Sequence, residues 1–91
     1  MNVILKFDYY IKTIYIPDGY INNLNKVYLD FFGWLENQAE CLALENGAYG
    51  LSYDESHFVK YINEELLGDC SEKAYILRDT TNRKNIPILK F

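Results

Sequence analysis

The chain has 91 residues, of which 49% are apolar and 24% charged, and its formal net charge is −4. This length indicates a single domain, 1–91, and this composition excludes a disordered chain. The negative total and one small basic cluster at Arg83-Lys84 exclude a nucleic-acid groove, and no apolar run approaches the roughly 18 residues that span a membrane.

Residues 3 to 16 alternate for most of their length between apolar and polar side chains, which is typical of a β-strand. The alternation keeps the same odd–even phase on both sides of Asp8, and no turn dipeptide interrupts it. The pattern therefore predicts one long strand, or two strands joined at a bend, that ends at Pro17-Asp18-Gly19. The odd positions that share this phase are Val3, Leu5, Phe7, Tyr9, Ile11, Thr13 and Tyr15.

Residues 20 to 37 change to a helical period, and Asp18 is the expected N-cap of this helix. Its apolar arc covers about 160° of the helical wheel, wider than the stripe of about 100° on an ordinary surface helix. Trp34, Tyr20 and Val27 lie on one flank of the arc. Two interpretations stay open, namely core packing or a dry patch in a dimer or partner interface.

Residues 40 to 51 predict a hairpin, because Asn-Gly at positions 46 and 47 is the strongest short turn signal. A second helix is expected over 54–67, with Ser52 or Asp54 as its N-cap and Gly68 at its end. Its predicted buried face consists of Phe58, Val59, Ile62 and Leu66, and the side chains expected to point the other way are His57, Lys60, Tyr61 and Glu64.

Residues 74–78 and 86–91 predict two further strands that are separated by a polar turn over 80–85. Pro87 favours a sheet edge for the last strand. The order mixes strands and helices without regular βαβ alternation. The predicted fold is therefore α+β, with an antiparallel or mixed sheet and two helices packed on one face.

The charge is distributed unevenly along the chain. Residues 27–72 hold ten acids and one base, Lys60, and sum to −9, whereas the first 26 residues sum to +1 and the last 19 to +4. Acids on helix surfaces usually serve solubility, and that is the commoner interpretation. A one-sign field over half of the chain also steers a partner of opposite sign, which favours a basic protein partner.

Few residues suggest catalysis or metal binding. His57 is the only histidine, and Glu64 is two helical turns away from it, too far to form a general-base pair. Cys41 and Cys70 lack the close Cys or His neighbours that zinc requires, and we expect both to be unbridged thiols. We expect no enzyme activity, no cofactor and no metal. Because no signal sequence or membrane span is recognisable, we also expect a cytoplasmic location.

These features predict a small acidic protein-binding inhibitor, an immunity-type protein that neutralises a basic partner such as a nuclease toxin. In size, charge and lack of catalytic groups the chain resembles bacterial toxin-neutralising immunity proteins. This resemblance is to the class in general and rests on no sequence motif. Acids would steer the partner and tyrosines would anchor it. The residues predicted to bind the partner are Asp54, Glu55, Tyr61, Glu64, Glu65, Asp69 and Glu72.

A homo-oligomeric structural or accessory protein without catalysis is the alternative. Self-association, in the simplest case as a homodimer, would use the aromatic flank of the first helix and the edge strand 86–91. A small enzyme centred on His57 is the third hypothesis.

Overall fold

The computed structural model describes residues 1–38, 42–45, 48–78 and 86–91. A mixed four-stranded sheet lies against two helices, and a hairpin forms a second sheet of two strands. This arrangement confirms the predicted α+β class. In chain order the elements are β1 (Asn2–Lys6), β2 (Ile11–Tyr15), α1 (Leu24–Glu36), β3 (Leu42–Glu45), β4 (Ala48–Leu51), α2 (Glu55–Tyr61) with a π-helical segment (Ile62–Leu67) directly after it, β5 (Tyr75–Ile76) and β6 (Ile88–Lys90).

The four-stranded sheet has the strand order β5-β2-β1-β6. β1 pairs antiparallel with β2 and parallel with β6, and β2 pairs antiparallel with β5. β6 is therefore an edge strand, as Pro87 predicted, and the Pro87 carbonyl accepts a hydrogen bond of 2.9 Å from the Ile4 amide. Both C-terminal strands are shorter than the predicted ranges 74–78 and 86–91. The turn predicted over 80–85 lies outside the described residues.

β1 and β2 form a hairpin, and the Phe7 amide donates to the Tyr10 carbonyl over 2.9 Å in its turn. The prediction of two strands joined at a bend is confirmed, but the prediction that one phase persists is wrong. Val3 is paired with Ile14, so every odd residue of β1 has an even partner in β2. Because antiparallel partners share one face of the sheet, the buried face changes from odd to even positions within the hairpin.

The first helix begins at Leu24 rather than at residue 20. Its N-cap is Asn23, whose side-chain oxygen accepts a hydrogen bond of 3.2 Å from the Lys26 amide. The prediction that Asp18 caps this helix is wrong, because Gly19 adopts a positive φ of 87° and turns the chain before the helix starts. The Asp18 carboxylate instead accepts a hydrogen bond of 2.7 Å from the N-terminal amine.

The hairpin predicted over 40–51 is confirmed by the antiparallel pairing of β3 and β4. Glu45 pairs with Ala48 at the turn end of these strands, which is the register that a two-residue connection requires. The two connecting residues, Asn46 and Gly47, lie outside the described residues.

The second helix has Asp54, not Ser52, as its N-cap. The Asp54 carboxylate accepts hydrogen bonds from the amide of Ser56, at 2.9 Å, and from its hydroxyl. In return, the Asp54 amide donates to Nδ1 of His57 over 3.1 Å. This reciprocal pair is a capping box, and it supplies partners for backbone groups that the first turn of a helix leaves unpaired.

The π-helical segment changes which side chains are buried at the end of the second helix. A π-turn is wider than an α-turn, so the apolar face advances by one position along the sequence. Leu67 is 2% exposed, whereas Leu66, which was predicted to be buried, is 36% exposed. The helix ends at Gly68, as predicted, where φ is 46°.

Both helices pack on one face of the sheet around the fully buried ring of Phe31. Its centroid lies 5.0 Å from that of Phe58 and 6.0 Å from that of Trp34. The Tyr61 ring lies 5.5 Å from Trp34 and is 5% exposed, so the prediction that Tyr61 points outward is wrong. Core packing is therefore the correct interpretation for Val27, which is buried, and for Trp34, which is partly buried against the core. Tyr20 precedes the helix and is 45% exposed. The sheet contributes Val3, Leu5, Ile14, Ile16 and Leu89 to this core.

Candidate interaction surface

Four exposed carboxylates lie along the end of the second helix and the loop that follows it. Glu64 and Glu65 belong to the π-helical segment, and Asp69 and Glu72 belong to the loop that leads to β5. We call these four residues the acidic ridge. All four are in the set that the sequence predicted to bind a partner, and the structure leaves their side chains open to solvent.

Backbone contacts hold the first part of this loop against the helix end. The Cys70 amide donates to the Leu67 carbonyl over 2.8 Å. The Lys73 ammonium group donates to the Gly68 carbonyl over 2.5 Å. Both bonds satisfy carbonyl groups that the end of a helix leaves unpaired, and a cation at this end also opposes the negative pole of the helix dipole.

Asn63 holds the far end of the loop. Its side-chain amide donates to the Ala74 carbonyl over 3.0 Å, and its side-chain oxygen accepts from the Ala74 amide at 2.8 Å. The side chain thus pairs with both backbone groups of Ala74, as a neighbouring strand would. The backbone that carries Asp69 and Glu72 is therefore attached to the second helix at both ends of the loop.

Asp54 and Glu55 lie at the other end of the second helix, where their carboxylates are used within the protein. Burial opposes ionisation of Asp54, but the hydrogen bonds from Ser56 outweigh it and lower the pKa of Asp54. Glu55 accepts a hydrogen bond of 2.9 Å from the Tyr10 hydroxyl. At about 1.5 Å per residue, Asp54 lies roughly 15 Å along the helix from Glu64. Asp54 and Glu55 therefore do not belong to the acidic ridge.

Asp30 extends the acidic surface onto the first helix, and the sequence prediction missed it. Burial raises the pKa of Tyr61, and the negative charges of Asp30 and Glu65 raise it further. Both carboxylates therefore lie near the Tyr61 hydroxyl. Asp30 and Glu65 are far apart in the sequence, so only the packing of the two helices brings them together.

Two tyrosines lie side by side at the end of the sheet where β2 pairs with β5, and a third, Tyr20, lies in the loop that follows β2. Tyr15 and Tyr75 are cross-strand partners whose ring centroids are 5.2 Å apart. A hydrogen bond with the Cys70 thiol raises the pKa of Tyr20, and the charge of Glu72 raises it further. Burial raises the pKa of Tyr15, and Glu72 adds to this shift as well. We call Tyr15, Tyr20 and Tyr75 the tyrosine patch. No sequence pattern groups them, because they come from two strands and a loop.

The lysines of the four-stranded sheet lie at its opposite end. Lys6 pairs with Lys90 across β1 and β6, and Lys12 follows the first residue of β2. Tyr15 is the last residue of β2, about 13 Å from Ile11 at roughly 3.3 Å per residue. These three lysines therefore lie at the end of the sheet away from Tyr15, where Asp8 also lies in the β1–β2 turn.

His57 and Cys70 are the remaining candidates for chemistry. Nδ1 of His57 accepts the hydrogen bond from the Asp54 amide, so this side chain serves the helix cap. Cys70 is a free thiol, whereas Cys41 lies outside the described residues, and the unbridged state of the pair stays a prediction. Within the described ranges, His, Cys, Asp and Glu side chains form no group of three that would hold a metal ion.

The chain matches no known protein family, no curated protein and no solved structure. None of the helices in the described part of the chain has the length and apolar character needed to cross a bilayer.

Proposed function

We propose that this protein binds a basic protein partner through the acidic ridge and inhibits it, in the manner of an immunity protein that neutralises a nuclease toxin. The observation that supports this most is the fixed loop. Asp69 and Glu72 are exposed, yet Asn63 and Lys73 hold the backbone that carries them. A loop backbone that is already held in place spares part of the conformational entropy that ordering this loop around a partner would cost.

The placement of Glu64 and Glu65 also supports a role outside folding. Both lie near the C-terminal end of the second helix, where the dipole is negative and each acid costs about 0.3–1 kcal/mol. Lysine or arginine at these positions would stabilise the helix end. A basic partner would offset this cost, because its cations would neutralise both carboxylates in the complex.

The inhibitor would act by covering the basic surface with which its partner binds phosphate groups. The charge of the ridge would accelerate encounter by a factor of about 10 to 10³ at low ionic strength. Aromatic contacts would then slow dissociation. This mechanism uses no catalysis, cofactor or metal, and an acidic surface repels nucleic acid. The free thiol of Cys70 favours a reducing compartment, and we include a cytoplasmic location in the proposal.

Capture of the partner from the native cell tests this proposal. The immobilised protein is incubated with lysate, and the retained proteins are identified by mass spectrometry. We expect a basic protein that is retained by the natural sequence and lost with the variant E64K/E65K. The captured protein should regain its own activity when the variant replaces the natural sequence in the assay.

The variant D8K/E36K is the matched control, because it changes the net charge by the same amount at exposed positions outside the ridge. It should retain the partner. Equal loss of binding in both variants would show that only the total charge matters, and equal retention would remove the ridge from the interface.

Self-association is the alternative function, and the outward face of the sheet favours it. On the side away from the helices, Ile88, Ile11 and Tyr75 are exposed around the buried residues Ile4 and Thr13. Exposed apolar side chains on an edge strand such as β6 are a common contact between copies of a chain. Light scattering separates the two functions: a mass of one 10.7-kDa chain over a range of concentrations supports the inhibitor, and a dimer supports self-association.

A further inference from the structure

The tyrosine patch is an exposed aromatic surface at the end of the sheet where β2 ends and β5 begins. Tyr75 is 52% exposed and Tyr20 is 45% exposed. Among the described strands, β5 lies at the edge of the sheet, and none of them covers its outer side. The half-buried Tyr15 supports the Tyr75 ring from the neighbouring strand, with 5.2 Å between the centroids. Large aromatic rings that are exposed and supported in this way are typical anchors of protein interfaces.

Two carboxylates border these rings. The side chain of Asp18 is 83% exposed, and the hydrogen bond from the N-terminal amine fixes its position. Glu72 precedes Tyr75 by three residues and Asp18 follows Tyr15 by three, so both carboxylates leave the paired strands β2 and β5 at the same end. Glu72 also belongs to the acidic ridge. The patch is therefore continuous with the ridge through Glu72. Its charge complements a cation, and its rings offer planar surfaces for stacking.

Arginine suits this combination better than lysine does. A guanidinium group is planar, stacks on aromatic rings and pairs with a carboxylate through two parallel hydrogen bonds. The ammonium group of lysine is a compact, strongly hydrated charge, so it gains less from a neighbouring ring. Carboxylates alone already favour arginine through this bidentate pairing, and stacking on the rings adds to the preference.

We infer that the tyrosine patch, together with Asp18 and Glu72, is a docking site for arginine side chains of a basic protein partner. This inference rests on the proposed function, because it places the specific contacts of the same complex beside the ridge that steers it. The ridge supplies the long-range attraction, and the patch distinguishes an arginine-bearing partner from one that is merely basic.

Synthetic oligo-arginine and oligo-lysine peptides of equal length are the probes for this inference. Their dissociation constants are measured by calorimetry at low ionic strength, and the contacts are mapped by NMR on isotope-labelled protein. We expect the arginine peptide to bind more tightly and to shift the resonances of Tyr20 and Tyr75. The lysine peptide should shift mainly the residues of the ridge.

Substitution of single rings then tests the anchor. Y75A should raise the dissociation constant of the arginine peptide by about two- to fivefold, the usual range for one exposed cation–π contact. The dissociation constant of the lysine peptide should stay unchanged in this variant. Y75F keeps the ring and should bind like the natural sequence. Y9A is the matched control, because Tyr9 is almost fully exposed in the hairpin turn at the other end of β2.

The outcomes separate this inference from the proposed function. If Y75A weakens the binding of only the arginine peptide, and E64K/E65K weakens the binding of both peptides, both proposals are supported. If the two peptides bind equally and Y75A behaves like Y9A, the docking site is refuted and the ridge stands. If E64K/E65K binds both peptides as well as D8K/E36K does, the proposed function fails, whatever the tyrosine variants show.

Discussion

Replacement of Asn63 by alanine should destabilise the protein and release the loop that carries half of the acidic ridge. The variant loses two hydrogen bonds, of 3.0 and 2.8 Å, to the backbone of Ala74. Ala74 is buried and the two bonds are partly buried, so its amide and carbonyl gain little water in exchange. The change therefore leaves a backbone donor and a backbone acceptor without partners.

The expected loss follows from these two bonds. A typical intramolecular hydrogen bond contributes about 0.5–1.5 kcal/mol, and a buried group left unpaired costs about 1–3 kcal/mol. For Asn63 we expect the free energy of unfolding to fall by about 2–3 kcal/mol, since the site is only partly buried. In a domain of this size, that corresponds to a fall in Tm of roughly 8–24 °C.

Urea denaturation, followed by circular dichroism, measures this change. N25A is the control, because Asn25 is exposed on α1 and alanine favours a helix. Hydrogen exchange of the Ala74 amide gives an independent measurement: it should be slow in the natural sequence and fast in N63A. A loss of stability below about 0.5 kcal/mol in N63A, with unchanged exchange at Ala74, would refute the account of the fixed loop.

Three other substitutions test the account of the fold and of the titrating groups. L67A should cost about 2–4 kcal/mol in the free energy of unfolding, whereas L66A should cost less than about 1 kcal/mol; equal costs would contradict the π-helical register. T13V removes a buried hydroxyl that has no hydrogen-bond partner among the described residues, and it should raise the free energy of unfolding by about 1 kcal/mol. Burial, and then the hydrogen bond to the Glu55 carboxylate, raise the pKa of Tyr10 from its ordinary value of 10.0 to about 12. The neutral phenol therefore stabilises the fold fully below pH 10.0, and this contribution is lost as the pH rises toward about 12. Y10F should lose less stability over that interval in alkaline titration, and an identical loss would contradict the raised pKa.

The class of fold could be predicted from the sequence because the spacing of apolar residues distinguishes a helix with one buried face from a strand with one buried face. The change from alternation to a helical period identified both helices, and Asn46-Gly47 identified the β3–β4 hairpin. The register of strand pairing was harder to predict from the sequence than the class of fold. The turn at 7–10 contains no strong turn dipeptide, and the change of the buried face across it depends on strand pairing, which periodicity does not encode.

The candidate site could be predicted only where its residues are neighbours in sequence. Glu64 and Glu65 are exposed as predicted, since helix position decides their direction. Tyr61 lies at the same helix end, but contacts with Trp34 bury it. Asp30 adjoins the ridge through packing between helices, which a single sequence does not show.

The most direct test of the central claim is the association rate constant of the captured partner with the natural sequence, E64K/E65K and D8K/E36K, measured at low and high salt. The ridge variant should associate about tenfold more slowly at low salt and lose most of its salt dependence. The control variant should stay close to the natural sequence at both salt concentrations. Identical rate constants and salt dependence for the two variants would contradict a specific role for the acidic ridge.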